Sequence, residues 1–408
     1  MNYLSRHLQT PLSGSLSRGK IRMMFGARQT GKSTLMRHLI GEKTVYVNLQ
    51  DTARRRELER SPAVLTQQLL AREEKSLVVL VDEIQKVPTL LDEIQRLYDE
   101  YPGRYDFFLT GSSARRLKSA SANLLPGRIH LYRLCPLILA ERKDASKSRF
   151  FPDKALTVHA PGFPKADLEE LLLFGNLPGI ALESAASRAK TLESYVEIYL
   201  EEEIRREGLV RNIGSFQQFL ELAGLESGRV INLTALSQES GVPVTTLRTF
   251  YQTLEDTFVG YRLPAFGAHS RKRLLLSPKF LFFDTGVRNA AARLAFSKSL
   301  LQTQAGQLFE NWVGLELMHR CFYAGRLYRL SFWRTVHHAE VDYILETPEE
   351  YIPIEVKWTE SPREADARHL KLFLAEYPAK ARRGYIVCRC PEPRQLAQNI
   401  TAIPWSTL

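Results

Sequence analysis

The sequence predicts an α/β protein that contains more than one domain. The chain has 408 residues, enough for two or three domains with their own hydrophobic cores. Strand-like apolar runs alternate with helix-like segments up to about residue 140, which is typical of a doubly wound sheet. A helical pattern extends from Leu168 to Leu220, and two strand-like runs lie beyond residue 339. We therefore expect an α/β domain at each end of the chain, with a helical region between them.

The first domain contains a complete phosphate-binding motif. Residues 26–33 read GARQTGKS, which matches the pattern G-x-x-x-x-G-K-S. A strand-like run precedes the motif at residues 21–25, and residues 34–40 follow it with helical spacing. Backbone N–H groups of such a loop face nucleotide phosphates, and the helix N-terminus adds partial positive charge. The predicted nucleotide-binding residues are Gly26, Ala27, Arg28, Gln29, Thr30, Gly31, Lys32, Ser33 and Thr34.

Two acidic residues further along the chain provide the carboxylates that hydrolysis needs. Residues 77–81 form a continuous apolar run, typical of a buried parallel strand, and Asp82 and Glu83 follow it directly. We expect Lys32 to reach the β- and γ-phosphates, and Ser33 and Asp82 to hold Mg²⁺. Glu83 is then placed to act as the general base toward water. The alternative is a strand end followed by a solvated acidic turn.

Polar residues also end the next strand-like run, at residues 106–110. Thr110 and Ser112 are candidates to sense the γ-phosphate or to position the attacking water, against the alternative of ordinary loop residues. Arg115, Arg116 and Arg128 follow, and we single out Arg128 as a candidate arginine finger, which neutralises charge in the transition state. The alternative for each arginine is a surface charge or a phosphate contact.

Residues 1 to about 140 resemble the AAA-superfamily ATPases of bacteria and archaea. The matching segments are GARQTGKST, LVDEIQKVP, FFLTGSSARRL and LLPGRIHLYRLCPL. The resemblance implies a P-loop AAA-type ATPase domain over residues 1–140, with ATP and Mg²⁺ as cofactors. It also implies a homo-oligomeric ring, with a hexamer favoured. In the family, the pair that matches Gly127 and Arg128 closes the ATPase core.

Charge and composition restrict the partners. The chain has 56 Lys and Arg against 45 Asp and Glu, a net charge of +11. Such an excess favours nucleic acid or an anionic membrane surface, without choosing between them. We expect no membrane span, because no apolar run is long enough, and a reduced, cytoplasmic protein without a signal peptide. The cysteines form no metal-binding motif and are Cys135, Cys321, Cys388 and Cys390.

The middle of the chain, residues 165–275, reads as a helical region with a winged helix, after a charged, proline-rich linker at 141–164. Residues 233–240 and 244–255 predict two helices around the turn at 241–243, and residues 258–263 predict a strand of a wing. In a DNA-binding protein the second helix enters the major groove. The alternative is a fold used for packing or protein contacts. The candidate DNA contacts are Thr245, Thr246, Arg248 and Gln252, and the basic residues Arg271, Lys272 and Arg273.

A second set of catalytic candidates lies in the last domain, residues 276–408. Strand-like runs at 340–345 and 351–357 carry Asp342 and the alternating pair Glu355 and Lys357. Carboxylates prefer hard cations, so this set fits Mg²⁺-assisted hydrolysis of a phosphodiester, with Lys357 polarising the water or the phosphate. An upstream helix adds a third carboxylate. The predicted metal ligands are Glu310, Asp342 and Glu355.

This arrangement is similar to the PD-(D/E)XK nuclease fold, which implies a nuclease-like α/β domain. The region from about residue 170 to residue 408 also resembles the domain-of-unknown-function 4143 family. An alternative remains open: the acidic residues are structural, or the domain binds DNA without cutting it. A role without nucleic acid is a further alternative.

Together these features predict an ATP-driven protein that binds and processes or remodels DNA, with branched or broken DNA as candidate substrates. One rival is a regulatory switch, in which ATP changes a protein interface and the winged helix binds a protein partner. Another is a nuclease whose ATPase half only controls assembly. The rivals differ in whether DNA stimulates ATP turnover and whether the C-terminal residues cut DNA.

Overall fold

The fold is taken from a computed structural model. It describes residues 3–14, 19–40, 44–114, 127–144, 150, 162–200, 213–267, 277–335 and 337–408. The chain forms two compact units. The N-terminal unit is residues 1–135 with 256–258, and the C-terminal unit is residues 136–255 with 259–408. The helical region and the final α/β region therefore belong to one unit.

The N-terminal unit alternates strands and helices along the chain. Its elements are α1 (Gln9–Ser13), β1 (Ile21–Phe25), α2 (Lys32–Ile40), β2 (Thr44–Asn48), α3 (Thr52–Arg60), α4 (Ala63–Leu70), β3 (Leu77–Asp82), α5 (Leu90–Glu100), β4 (Tyr105–Gly111) and β5 (Ile129–Arg133).

These strands form a parallel sheet in the order β2-β3-β4-β1-β5. The apolar run in β3 is buried along nearly its whole length, as expected for a central strand covered by helices. Because β4 lies between β1 and β3, the carboxyl ends of these three strands are neighbours at one edge. The phosphate-binding loop, Asp82 and Thr110 all lie at that edge, where open α/β sheets bind ligands.

The C-terminal unit contains the remaining elements. They are α6 (Leu168–Phe174), α7 (Pro178–Leu182), α8 (Ala185–Ser194), α9 (Ile213–Leu225), α10 (Leu233–Ser240), α11 (Val244–Asp256), β6 (Gly260–Leu263), β7 (Lys279–Phe282), α12 (Thr285–Ala291), α13 (Lys298–Ala324), β8 (Arg329–Arg334), β9 (Glu340–Glu346), β10 (Tyr351–Val356), α14 (Arg368–Glu376), β11 (Gly384–Cys388), β12 (Arg394–Ala397) and β13 (Ile400–Pro404). A π-helical turn, Tyr195–Leu200, continues α8.

A mixed sheet in the order β12-β13-β11-β10-β9-β8 forms the core of this unit. Strands β10, β11 and β13 are parallel, while β8, β9 and β12 pair antiparallel to their neighbours. The long helix α13 packs against β9, where Tyr343 donates a hydrogen bond of 2.9 Å to the Glu310 carbonyl oxygen. This contact places the Glu310 turn of α13 beside the strand that carries Asp342.

The two helices predicted around residues 241–243 are present as α10 and α11. Asn232 caps α10 by accepting a hydrogen bond from the Ala235 N–H, and Gly241 ends the helix with φ of 68°. Strands β6 and β7 pair antiparallel after α11. The sequence pattern therefore located these elements, and their role as a winged helix stays a prediction.

Two glycines of α13 provide a matched test of its packing. A Cβ on Gly314 would lie 2.3 Å from the Tyr343 hydroxyl oxygen, whereas a Cβ on the exposed Gly306 would meet nothing within 4 Å. Gly314→Ala should lower the free energy of unfolding by about 1–3 kcal/mol, because the buried ring must shift. Gly306→Ala should leave it unchanged or raise it by up to about 1 kcal/mol. Urea unfolding followed by circular dichroism measures both, and equal effects would contradict this packing.

Candidate active site

Lys32 bonds to the backbone of the phosphate-binding loop. Its ammonium donates hydrogen bonds of 2.9 Å to the carbonyl oxygens of Gly26 and Ala27. The side chain is 5% exposed, so it lies inside the loop. Gly26 itself is required by close packing, since a Cβ there would lie 2.3 Å from the Leu134 carbonyl oxygen.

A buried arginine from the N-terminal segment supports the same loop. The Arg6 guanidinium donates to the Thr30 carbonyl at 2.6 Å and to the Cys135 carbonyl at 2.7 Å. It therefore ties the loop to the segment that follows β5. Sequence reasoning missed Arg6, because a single arginine 20 residues before the motif carries no local signal.

Asp82 is the buried acceptor at the centre of this edge. Ser33 donates to its Oδ1 at 3.0 Å, and the Thr110 hydroxyl donates to the same oxygen. Tyr46 donates to Oδ2 at 3.0 Å and itself accepts a 2.9 Å hydrogen bond from Arg37. Hydroxyl groups from α2, β2 and β4 therefore fix a carboxylate that is 0% exposed. Tyr46 was not predicted, since its strand carries no recognised motif.

Glu83 is held in a strained and well-defined position. Its backbone lies in the left-handed region, with φ of 64° and ψ of 47°. Its N–H donates to the Thr110 hydroxyl oxygen at 3.1 Å. Its Oε2 accepts hydrogen bonds from the Gln85 amide and, at 2.7 Å, from the Ser112 hydroxyl. Non-glycine residues in this conformation cost about 1–3 kcal/mol and are concentrated at functional sites.

The surroundings of Glu83 favour its ionised form. Burial alone would raise the pKa of this carboxyl, but the positive charge of Lys32 and the hydrogen bonds from Ser112 and Gln85 outweigh it. The net effect is a lowered pKa, so Glu83 is a carboxylate at neutral pH. The structure thus brings Lys32, Thr110 and Ser112 together around the predicted base.

The donor set at this edge fits a magnesium ion. Ser33 Oγ and Asp82 Oδ1 lie 3.0 Å apart and both offer oxygen, the ligand atom that hard cations prefer. Ser33 and Asp82 are thus the residues that would hold Mg²⁺.

Arg128 lies far from this edge in its own chain. It precedes β5, whereas the phosphate-binding loop follows the carboxyl end of the parallel strand β1, about 16 Å away along the strands. Its guanidinium binds Asp99 at 2.7 Å, which raises the pKa of Arg128. Within its own protomer, Arg128 is therefore paired with Asp99 and lies away from the phosphate-binding loop. Arg115 and Arg116 lie outside the described residues.

The catalytic candidates of the C-terminal region, Asp342, Glu355 and Lys357, lie close together in the structure. Tyr343 pairs with Ile354 in the antiparallel ladder of β9 and β10, so Asp342 stands opposite Glu355 on the same face. Asp342 Oδ2 accepts a 2.8 Å hydrogen bond from the Val356 N–H. The Lys357 ammonium donates to Glu355 Oε1 at 2.7 Å.

A lysine that the sequence did not suggest lies among these carboxylates. The Lys279 ammonium is 2.7 Å from Glu340 Oε1 and 3.3 Å from Glu310 Oε1. Its side chain is 4% exposed. We refer to Glu310, Glu340, Asp342 and Glu355 as the acidic cluster.

Negative charge is poorly compensated inside the acidic cluster. Burial and the neighbouring Asp342 raise the pKa of Glu310 to about 7 and that of Glu355 to about 8. Burial likewise raises the pKa of Asp342. Glu355 Oε2 is buried and has no hydrogen-bond partner in the described part of the chain. A proton or a cation would therefore stabilise the cluster.

The predicted metal ligands Glu310, Asp342 and Glu355 do not fit a metal ion in this arrangement. Over the described residues, no group of three or more His, Cys, Asp or Glu side chains could hold one. The physical reason is visible in the contacts. Glu310 binds the Lys279 ammonium, and one oxygen of Asp342 accepts from the Val356 backbone.

The candidate DNA-contacting helix has one solvent-facing side. Thr245 and Arg248 are exposed and Thr246 is half-buried, whereas the apolar side chains of α11 from Leu247 onward are buried. Gln252 accepts a 3.3 Å hydrogen bond from Arg262 on β6. The basic residues Arg271, Lys272 and Arg273 lie outside the described residues. Within the described part, the helices are too short or too polar to cross a membrane.

Three family models match successive parts of the chain. Residues 18–143 match an AAA domain, residues 165–298 a domain of unknown function (DUF8612), and residues 305–408 a domain of unknown function (DUF4143). The last match begins well after residue 170, where the resemblance was expected to begin, because a different family covers the preceding segment.

Curated relatives with recognisable similarity are themselves uncharacterized. Proteins from Mycobacterium bovis and Mycobacterium tuberculosis are each 26% identical over 359 residues, which cover 86% of this chain and 73% of theirs. A Haemophilus influenzae protein is 24% identical over 371 residues, 85% of each chain. A solved Vibrio cholerae protein, VC1899, aligns over 94% of both chains at 13% identity, but its TM-score of 0.18 is too low to compare folds. The AAA match at residues 18–143 is thus the comparison that bears on function, and it indicates ATP binding and hydrolysis.

The hydrogen bond from Ser112 leads to a pH-dependent prediction. Ser112→Ala removes a donor that stabilises ionised Glu83, so the pKa of Glu83 should rise. A hydrogen bond to a charged group contributes about 1.5–3 kcal/mol. The acid limb of the kcat profile for ATP hydrolysis should therefore move about one unit toward higher pH. Ser112→Thr, which keeps the hydroxyl, should retain the original limb; an unmoved limb in Ser112→Ala would exclude this role.

Proposed function

We propose that this protein is a Mg²⁺-dependent ATPase that binds and remodels DNA. The observation that supports hydrolysis best is the position of Glu83, an ionised carboxylate held beside the phosphate-binding loop. Ser112 and Gln85 both donate to its Oε2, which leaves Oε1 as the oxygen to face an attacking water. A loop that only bound nucleotide would have no need of this arrangement.

Lys32 can exchange its carbonyl acceptors for phosphate oxygens when a nucleotide binds. Its ammonium now donates to two neutral carbonyl oxygens. The charged oxygens of an incoming triphosphate are stronger acceptors for this ammonium, because they add the attraction between opposite charges. The backbone N–H groups that open α2 add their partial positive charge. ATP binding therefore replaces weak internal contacts with strong ones.

In the hydrolytic step, Glu83 accepts a proton from water while the water oxygen attacks the γ-phosphorus. The bond to the β,γ-bridging oxygen breaks, and ADP leaves with that electron pair. Mg²⁺ held by Ser33 and Asp82 would neutralise charge on the phosphate oxygens. Thr110 and Tyr46 keep Asp82 in place through its two oxygens.

Two substitutions separate binding from hydrolysis. Lys32→Ala should abolish binding of a fluorescent ATP analogue, because the loop loses its charged donor. Glu83→Gln has nearly the same shape but accepts no proton, so it should retain binding and lose about 10²–10⁴-fold in kcat. Turnover is measured by phosphate release. Full turnover by Glu83→Gln, or unchanged binding by Lys32→Ala, would refute the assignment of the respective residue.

Arg128 could act as an arginine finger only at the nucleotide site of a neighbouring copy of the chain. Its own loop lies at the opposite end of the parallel strands. AAA domains often oligomerise, so we propose a homo-oligomeric ring in which Arg128 leaves Asp99 to reach the adjoining site. Sedimentation velocity with and without ATP, on the same Glu83→Gln preparation, tests this assembly, and a monomer under both conditions would exclude it.

DNA binding is proposed from charge and from the exposed side of α11. The net charge of +11 favours a polyanion, and Thr245 and Arg248 project from one side of that helix. The cluster of Asp342, Glu355 and Lys357 supports a nuclease-like C-terminal fold. We propose engagement and remodelling of DNA as the action of this protein on its partner.

DNA should stimulate ATP turnover, and the effect should depend on Arg248. Arg248→Ala should weaken DNA binding and reduce the salt slope of log K by about one, as expected for one lost phosphate contact. Arg326→Ala removes the same charge from the exposed turn after α13 and serves as the control. Phosphate release is measured with duplex, single-stranded and branched DNA.

Absence of stimulation by every form of DNA would favour a different function, an ATP-dependent switch that binds a protein through α11. Glu255 in the last turn of α11 is paired with Arg262 on β6, so this helix carries an acidic group as well as the basic Arg248. The switch predicts slow turnover that is indifferent to DNA, and partner binding that tolerates salt.

A further inference from the structure

The acidic cluster contains its own cation. Lys279 begins β7 and reaches between two carboxylates from different elements, Glu340 at the start of β9 and Glu310 in α13. The distances from its ammonium to these carboxylates are 2.7 and 3.3 Å. These are the distances of charge-assisted hydrogen bonds and close ion pairs.

The lysine cannot easily leave this position. Its backbone pairs with Leu263 in the β6–β7 ladder and forms a further bridge with Val230. Its ammonium lies 5.3 Å from the centroid of the Phe332 ring, a cation–π contact on β8. The residue is 3% exposed. Its burial and its position in two backbone pairings hold the charge inside the cluster.

A divalent ion would compete with this ammonium for the same oxygens. Metal ions of this class bind carboxylate oxygens at about 2.0–2.6 Å. An ion bound at Glu310 would therefore stand close to an ammonium that contacts the same carboxylate, in a buried site where screening is weak. Two like charges at this separation repel strongly, whereas one ammonium satisfies two carboxylates without this repulsion.

We propose that Lys279 is an internal counter-ion that takes the cation position of the acidic cluster. The cluster is assembled around an ammonium rather than a divalent metal ion. Removing the positive charge of Lys279 should create a divalent metal site formed by Glu310, Asp342 and Glu355. This inference concerns the C-terminal unit and goes beyond the ATPase activity proposed for the N-terminal unit.

Manganese binding to the nucleotide-free, full-length chain tests the proposal. Free Mn²⁺ is measured by electron paramagnetic resonance during titration, which counts bound ions without any activity assay. The wild-type chain and Asp342→Asn should bind the same number of ions. Lys279→Met should bind one more. The double variant Lys279→Met, Asp342→Asn should lose that ion.

Lys279→Arg is the matched control, because it keeps the charge and should gain no site. Loss of a bound Mn²⁺ ion in Asp342→Asn alone would overturn the proposal, since it would show that the native cluster already binds metal. Folded Lys279→Met protein that gains no ion would overturn it as well. Circular dichroism establishes the fold of each variant.

If Lys279→Met does not fold, the comparison of the wild type with Asp342→Asn and Glu355→Gln decides the question without a lysine variant. Equal Mn²⁺ binding supports the internal counter-ion, and reduced binding refutes it. Any ion held by Ser33 and Asp82 contributes equally to all these chains. Failure of the ATPase proposal would appear in phosphate release, so the two proposals fail independently.

Discussion

The N-terminal unit depends on the buried carboxylate of Asp82. It ends β3 with no exposure to solvent, and hydroxyl groups from Ser33, Tyr46 and Thr110 satisfy its two oxygens. A buried carboxylate without partners would cost several kcal/mol, so these contacts determine which elements must meet at this edge. They join α2, β2 and β4 to the end of β3. The order of the strands makes this possible, because β4 carries Thr110 to the position between the loop and Asp82.

Glu83 is positioned by the same constraint. Thr110 bonds both to Asp82 and, through its hydroxyl oxygen, to the Glu83 N–H. This second contact stabilises a left-handed backbone that a glutamate seldom adopts. The turn directs the side chain to Ser112 and Gln85 rather than into solvent. The same hydrogen bonds at this edge of the sheet thus stabilise both the buried carboxylate of Asp82 and the left-handed backbone of Glu83.

Sequence patterns located what local geometry determines. The phosphate-binding motif identified its loop, the apolar run before Asp82 identified β3, and period-two alternation placed Glu355 and Lys357 on one face of their strand. The register of β9 and β10, which places Asp342 opposite Glu355, is seen only in the structure. Residues that act from a distance along the chain were not found. Arg6, Tyr46 and Lys279 lie on segments without a motif, and their roles arise from the way those segments pack. The insertion of β4 between β1 and β3 was equally absent from the sequence pattern, because strand order is a tertiary property.

The two buried lysines show why the two acidic centres behave differently. Lys32 is 5% exposed and Lys279 is 3% exposed, so burial does not distinguish them. Their partners do. Lys32 donates to the neutral carbonyl oxygens of Gly26 and Ala27, whereas Lys279 contacts the charged carboxylates of Glu310 and Glu340, which add the attraction between opposite charges. A phosphate can replace the partners of Lys32 with gain, because it offers charge where the carbonyls offer none. Lys279 already contacts two charged carboxylates, and its departure would leave Glu310 and Glu340 without this counter-ion. We therefore interpret Lys32 as an exchangeable ligand-binding group and Lys279 as a fixed structural cation.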